Sequence, residues 1–157
     1  MRRLNGKLST TISLILTILL FVSLVFLTYW LPDVVQSMID MNDNFGNRAN
    51  ISEQGRLFVL IDTYVMVAIA FAAVVLLFFL LRTVLKGQVF GKTTTRLLSF
   101  ISLCCFVEGI LFLLLIAYFQ LAFGVAIAAF FLGLCLRVVK NVIDEATRIK
   151  SENDFTI

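Results

Sequence analysis

Glu108 is the residue of this 157-residue chain whose type and position point most directly to chemistry. It lies in the middle of the apolar segment 97–117, where an unpaired carboxylate is costly. Its side chain must therefore carry a proton or be satisfied by neighbouring groups. The hydroxyl groups that could reach it belong to Ser13, Thr17, Thr63, Tyr64 and Ser102. Two interpretations follow: a functional acid in a proton or cation relay or at a ligand, and a neutral acid that joins neighbouring helices.

Asp62 is the second acid inside an apolar segment, about five residues from the predicted outer end. We expect its carboxylate to reach the membrane interface or to cap a helix end. The chain has no His, and its three Cys lie in apolar runs, so we predict no catalytic residue, no metal site and no cofactor. In the segment 86–93, Gly87 and Gly91 enclose three residues where a phosphate loop needs four. The protein is therefore expected not to be an enzyme.

Four apolar runs dominate the chain, which is 61% hydrophobic with a mean hydropathy of +1.02. Soluble domains are typically about 45–50% apolar, so lipid is the expected solvent. The pattern predicts an all-α integral membrane four-helix bundle, a single membrane domain over residues 1–157. The predicted spans are 8–31, 57–81, 97–117 and 121–138. Since the segment 97–136 would form a helix about twice the length of a hydrocarbon core of about 30 Å, we predict a tight hairpin near 117–121.

The distribution of basic residues predicts the orientation. Eleven of the 13 Lys and Arg fall on one side of the four spans. They are Arg2, Arg3, Lys7, Arg82, Lys86, Lys92, Arg96, Arg137, Lys140, Arg148 and Lys150. The positive-inside rule places both termini, the loop 82–96 and the tail 139–157 in the cytoplasm, and the loop 32–56 outside. The predicted location is the cytoplasmic (inner) membrane of a bacterium.

The segment after the first span is predicted to leave the bilayer. Tyr29 and Trp30 are typical interfacial anchors, and Pro32 is predicted to end the helix. Residues 33–43 are then expected to form a short amphipathic helix on the outer surface. Its lipid-facing residues would be Val34, Val35, Met38, Ile39 and Met41.

The C-terminal segment predicts an amphipathic helix that continues the fourth span. Its apolar residues recur at steps of three and four, with charged residues on the other face. They are Val139, Val142, Ile143, Ala146 and Ile149. Such a helix could lie on lipid headgroups, dock a protein partner or self-associate. Small residues at four-residue spacing, including Gly124 and Ala128, also permit a homo-oligomer.

The chain ends in a motif of the form Lys-x-Glu-Asn-Asp-x-Thr-Ile. It comprises Lys150, Glu152, Asn153, Asp154, Phe155, Thr156 and Ile157. This ending, with the Gly-Gln-Val-Phe element at 87–90 and the four-span layout, resembles the YoaS-like family of small bacterial membrane proteins of unknown function. The resemblance implies a gene encoded beside a small helix-turn-helix regulator. It implies no enzyme activity and no catalytic residue.

The leading hypothesis is a regulatory membrane protein that tethers such a regulator or senses a signal and passes it to the regulator. The lipid bilayer and the regulator are the expected partners, and the regulator, not this chain, would contact DNA. The loop 82–96 and the tail, including the terminal motif, would dock it. The alternatives are a small transport or immunity protein that uses Glu108, and an accessory subunit of a membrane complex.

Overall fold

A computed structural model describes residues 2–44, 52–87 and 91–154, which form four α-helices and no strand. The helices are α1 (Arg2–Asn44), α2 (Glu53–Leu85), α3 (Lys92–Leu115) and α4 (Leu121–Asp154). All four are long enough and apolar enough to cross a membrane. The predicted all-helical architecture with four helices of spanning length is confirmed.

The helices pack in chain order. α1 packs against α2, α2 against α3, and α3 against α4. Within the described residues, no Cα atom of α1 lies within 8 Å of α3 or α4, and none of α2 lies within 8 Å of α4. The helices therefore form an open row, whereas a closed bundle would return α4 to α1. Lipid tails are as apolar as the side chains, so no hydrophobic force between helices closes the row.

The predicted helix stop at Pro32 is wrong, because α1 continues through Pro32 to Asn44. Proline inside a helix costs about 3 kcal/mol through a lost hydrogen bond and a steric clash. Leu31, Val35 and Ile39 lie one turn apart around it and are buried in one apolar cluster with Val59 of α2. Val35 and Ile39 lie in the segment predicted to be outside the bilayer, where burying each side chain away from water contributes about 1.5–3 kcal/mol and offsets the proline. Much of the predicted outer loop 32–56 is therefore helical.

The apolar residues of the segment 33–43 do not share one exposed face as predicted. Val34, Met38 and Met41 are exposed. Val35 and Ile39 are buried, because they continue the stripe of Leu31 at four-residue steps towards α2. The extension of α1 is thus held by protein contacts on one side.

Replacing Ile39 by Ala should lower the free energy of unfolding by about 2–5 kcal/mol, because it leaves a cavity against α2. Ile39 is 3% exposed, whereas the neighbouring Met38 is 50% exposed. Met38→Ala is therefore the matched control and should have little effect. Unfolding of both variants by an ionic detergent in mixed micelles, followed by circular dichroism, measures the difference. Equal losses would contradict the buried position of Ile39.

A five-residue connection, 116–120, reverses the chain between α3 and α4. The backbone N–H groups of Tyr118 and Phe119 donate to the carbonyl of Leu115 at 3.0 and 2.8 Å. The ring of Tyr118 lies 5.9 Å from that of Phe58 on α2. This connection confirms the predicted reversal near 117–121.

α3 and α4 approach each other closely at two glycines. A Cβ atom at Gly109 would lie 3.0 Å from the ring of Phe130, and one at Gly133 would lie 3.3 Å from the ring of Phe106. The buried hydroxyl of Ser102 donates to the carbonyl of Gly133 at 2.8 Å. Glycine at these sites lets the two backbones pack at short distance, as small residues do in membrane helices.

Candidate functional site

Asp62 lies on the buried face of α2. Gly55, Val59, Asp62 and Met66 are all buried and follow one another at steps of four, three and four. Asp62 is 6% exposed, and its Oδ2 atom has no hydrogen-bond partner among the described residues. α2 begins at Glu53, so Asp62 is well inside the helix and does not cap its end. The expectation that this carboxylate caps a helix end is therefore wrong, and its reach to the membrane interface stays a prediction.

Glu108 lies on the corresponding stripe of α3. It comes seven residues after Ile101 and seven before Leu115, and both of these residues are buried. A spacing of seven places all three on one side of the helix. Glu108 itself is half-buried, and its Oε1 atom is buried without a hydrogen-bond partner in the described part of the chain.

No hydroxyl predicted to satisfy Glu108 is seen to donate to it. Four of these hydroxyls donate to backbone carbonyls instead: Ser13 to Ser9 at 3.1 Å, Thr17 to Ser13 at 2.8 Å, Thr63 to Val59 at 2.7 Å and Ser102 to Gly133 at 2.8 Å. The ring of Tyr64 is 41% exposed. A helical Ser or Thr finds an acceptor on the preceding turn of its own backbone, which competes with a distant carboxyl group. The prediction of hydroxyl partners is therefore wrong.

Asp62 and Glu108 lie on two helices that pack against each other. Each is in register with buried residues of its own helix, Asp62 with Val59 and Met66, and Glu108 with Ile101 and Leu115. α2 has no Lys or Arg between Arg56 and Arg82, and α3 has none after Arg96. The two acids are 46 positions apart in the chain, so no local pattern signals their pairing. The structure thus places one buried and one half-buried acid on neighbouring helices, and their spans contain no Lys or Arg.

A groove of about 590 Å³ opens between the extended end of α1 and the start of α2. Pro32, Val35 and Ile39 line one wall, and Leu57 lies on the other. The guanidinium group of Arg56 donates to the side-chain oxygen of Gln36 across it.

The second candidate surface is the C-terminal part of α4, which continues without a break to Asp154. Val138 and Val142 are each 63% exposed, and Val139 and Ile149 are also exposed. Charged side chains on this part form ion pairs between neighbouring turns. The pairs are Lys140–Asp144 at 3.7 Å, Arg148–Glu145 at 2.6 Å and Arg148–Glu152 at 4.0 Å. Such pairs at three- and four-residue spacing are typical of a helix in water.

The residues of the terminal motif are only partly described. Lys150 and Glu152 are exposed on α4, and Asn153 and Asp154 are its last two residues. Phe155, Thr156 and Ile157 lie outside the described residues, as do residues 88–90 of the second element. The docking role of this motif stays a prediction.

Comparison with known families gives the chain a classification. The sequence model of one protein family matches residues 7–157, and the family's description is "Protein of unknown function (DUF2975)". The chain belongs to the DUF2975 family. Its DUF2975 domain includes both buried acids and the whole of α4. No curated protein and no solved structure matches the chain. Membership of DUF2975 assigns no activity, and the closer resemblance to the YoaS-like family stays a prediction.

Proposed function

We propose that this DUF2975 protein is a non-enzymatic, multi-pass protein of a bacterial cytoplasmic membrane that tethers a small helix-turn-helix transcription regulator. Both termini face the cytoplasm, and the loop 82–96 and the tail 137–157 form the docking surface. A signal at the outer end or in the lipid releases the regulator, which then contacts DNA. The resemblance to the YoaS-like family, with its neighbouring regulator gene, supports the choice of partner.

The unbroken course of α4 is the observation that carries this proposal. Ser102 and Gly133 lie side by side on antiparallel helices, so α3 begins at the level of about residue 143 of α4. α4 therefore extends beyond α3 by roughly eleven residues, or about 16 Å at 1.5 Å per residue. A helix lying on headgroups needs a bend where the span ends, and α4 has no Pro and no Gly after Gly133. The tail is thus suited to project towards a partner.

The exposed valines give this tail an apolar contact surface. Val138 and Val142 are four residues apart, so they lie on one side of α4. The Lys140–Asp144 ion pair lies on the opposite side of the helix and keeps that side soluble. An amphipathic helix of this kind binds by placing its apolar residues in a groove of the partner.

Recovery of the regulator with membranes tests the tether. Membranes from cells that make the full chain should retain the product of the adjacent regulator gene, and membranes with a chain lacking residues 137–157 should lose it. Val142→Glu should weaken retention at least tenfold, because a charge enters the apolar contact. Asn141→Glu adds the same charge at the next position and is the matched control.

Immunoblots of the membrane and soluble fractions measure the distribution of the regulator. Equal partition with the full and shortened chains would refute the tether, provided that both chains are present in the membrane at equal amounts. Equal loss with Val142→Glu and Asn141→Glu would refute the proposed contact surface.

The alternative is a small transport or immunity protein that uses Glu108. The unpartnered oxygens of Asp62 and Glu108 favour it, because buried acids in membrane helices often mark ion pathways. The two functions differ in whether they need the carboxyl group of Glu108. If the protein is a tether, Glu108→Gln should still retain the regulator at the membrane; if it is a transport or immunity protein, Glu108→Gln should abolish its activity.

A further inference from the structure

Along the apolar stretches of the four helices, the sequence has no positive charge that could balance a carboxylate at Asp62 or Glu108. α2 has no Lys or Arg from 57 to 81, α3 has none from 97 to 115, α4 has none from 121 to 136, and α1 has none from 8 to 44. Along these stretches and the connection 116–120, the titratable side chains belong to tyrosines, cysteines and acids. The tyrosines and cysteines are Tyr29, Tyr64, Tyr118, Cys104, Cys105 and Cys135. A carboxylate at either site would therefore stand uncompensated in an apolar environment.

The donor set does not suit a metal cation. Calcium takes about six to eight oxygen ligands and magnesium needs near-ideal octahedral geometry. The described residues include no group of three or more His, Cys, Asp or Glu side chains that could hold a metal. The nearby hydroxyls of Thr63 and Ser102 already donate to backbone carbonyls. The cation that fits two carboxyl groups without further donors is the proton.

We propose that Asp62 and Glu108 form a two-position proton-binding site between α2 and α3, with a proton on each carboxyl group at neutral pH. Three observations support the site: Asp62 is 6% exposed, each acid has a buried oxygen without a hydrogen-bond partner among the described residues, and the two helices pack together. Because the two carboxylates of such a site repel each other, the site releases its protons one after the other.

Infrared spectroscopy of the full chain in nanodiscs made of ether lipids tests this site. A protonated carboxyl group has a C=O band that is separate from the amide bands, and ether lipids contribute no ester carbonyl. At pH 7 the wild-type chain should show this band, with the shift in D₂O that an exchangeable proton causes. Asp62→Asn and Glu108→Gln should each remove about half of it, in line with two protonated groups, and the double variant should remove all of it.

Titration to alkaline pH separates a coupled site from two independent acids. The wild-type band should disappear in two steps, and the remaining band of each single variant should disappear at a lower pH than the second wild-type step, because the charge of the other carboxylate no longer opposes ionisation. Glu53→Gln, at the exposed first turn of α2, is the matched control and should change nothing.

Two results would overturn the proposal. One is a wild-type chain without the band at pH 7, which needs no variant and so does not depend on how the variants fold. The other is a band that both isosteric substitutions leave intact. Neither result bears on the tether, since the infrared signal requires no regulator.

Discussion

Replacing Gly109 by Val is expected to lower the free energy of unfolding by about 1–3 kcal/mol, because overpacking forces α3 and α4 apart. A Cβ atom at this position would lie 3.0 Å from the Cε1 and Cζ atoms of Phe130, and valine adds two further methyl groups. The ring of Phe130 also lies 6.1 Å from that of Phe106, which restricts its movement. Unfolding in mixed micelles, monitored by circular dichroism, measures the loss.

Gly124→Val is the matched control for this experiment. Gly124 also lies in a membrane-spanning helix, and a Cβ atom there would have no neighbour within 4 Å. The control should therefore unfold like the wild type. Adding Phe130→Ala to Gly109→Val should cost less than the sum of the two single changes, because the shortened side chain makes room for the valine. Equal losses at Gly109 and Gly124, or strict additivity, would contradict the close α3–α4 contact.

Fusion of a fluorescent protein after Ile157 is expected to give fluorescence in nearly all molecules, because the fusion partner stays in the cytoplasm. Alkaline phosphatase inserted within residues 45–51 should be active, because it folds only outside. The reason is the excess of 11 of the 13 Lys and Arg on one side of the spans. Phosphatase activity at the C-terminus together with inactive insertions at 45–51 would reverse the predicted orientation.

Neutralising the loop between α2 and α3 tests the cause of this orientation. Changing Arg82, Lys86, Lys92 and Arg96 to Gln should produce a mixed population, since it removes four of the eleven charges that hold the chain in place. Changing Arg48 and Arg56, the two basic residues of the opposite side, should leave the orientation as it is. If the changes at Arg48 and Arg56 produced a mixture of orientations and the four changes in the loop did not, a property other than the basic residues would determine the topology.

The helices and the reversal at 116–120 could be predicted because hydropathy and length alone determine them. A run of 40 apolar residues is too long for one crossing, so it must turn. The course of α1 beyond Pro32 could not be predicted in the same way. It depends on Val35 and Ile39 finding a surface on α2, and a single-helix pattern cannot distinguish that surface from lipid.

The candidate site was predictable only in part for the same reason. Glu108 and Asp62 are visible as acids in apolar runs, but their proximity depends on how α2 is placed against α3. Gly109 was missed because its role depends on one ring, that of Phe130, which faces it from the next helix. The hydroxyls of Thr17 and Thr63 donate to backbone carbonyls one turn away, and that of Ser102 donates to a carbonyl of α4, so the presence of hydroxyls in neighbouring helices does not predict partners for Glu108.

The open row of helices bears on how the chain assembles during synthesis. Each helix contacts only the helices adjacent to it in the chain, so the described contacts between helices link segments that are made consecutively. α1 and α2 can associate before the ribosome has translated α4, and no early helix has to wait for the C-terminus. Short sequence separation between contacting residues favours fast folding. The contacts between the helices of a nascent chain can therefore form in the order in which the helices are made.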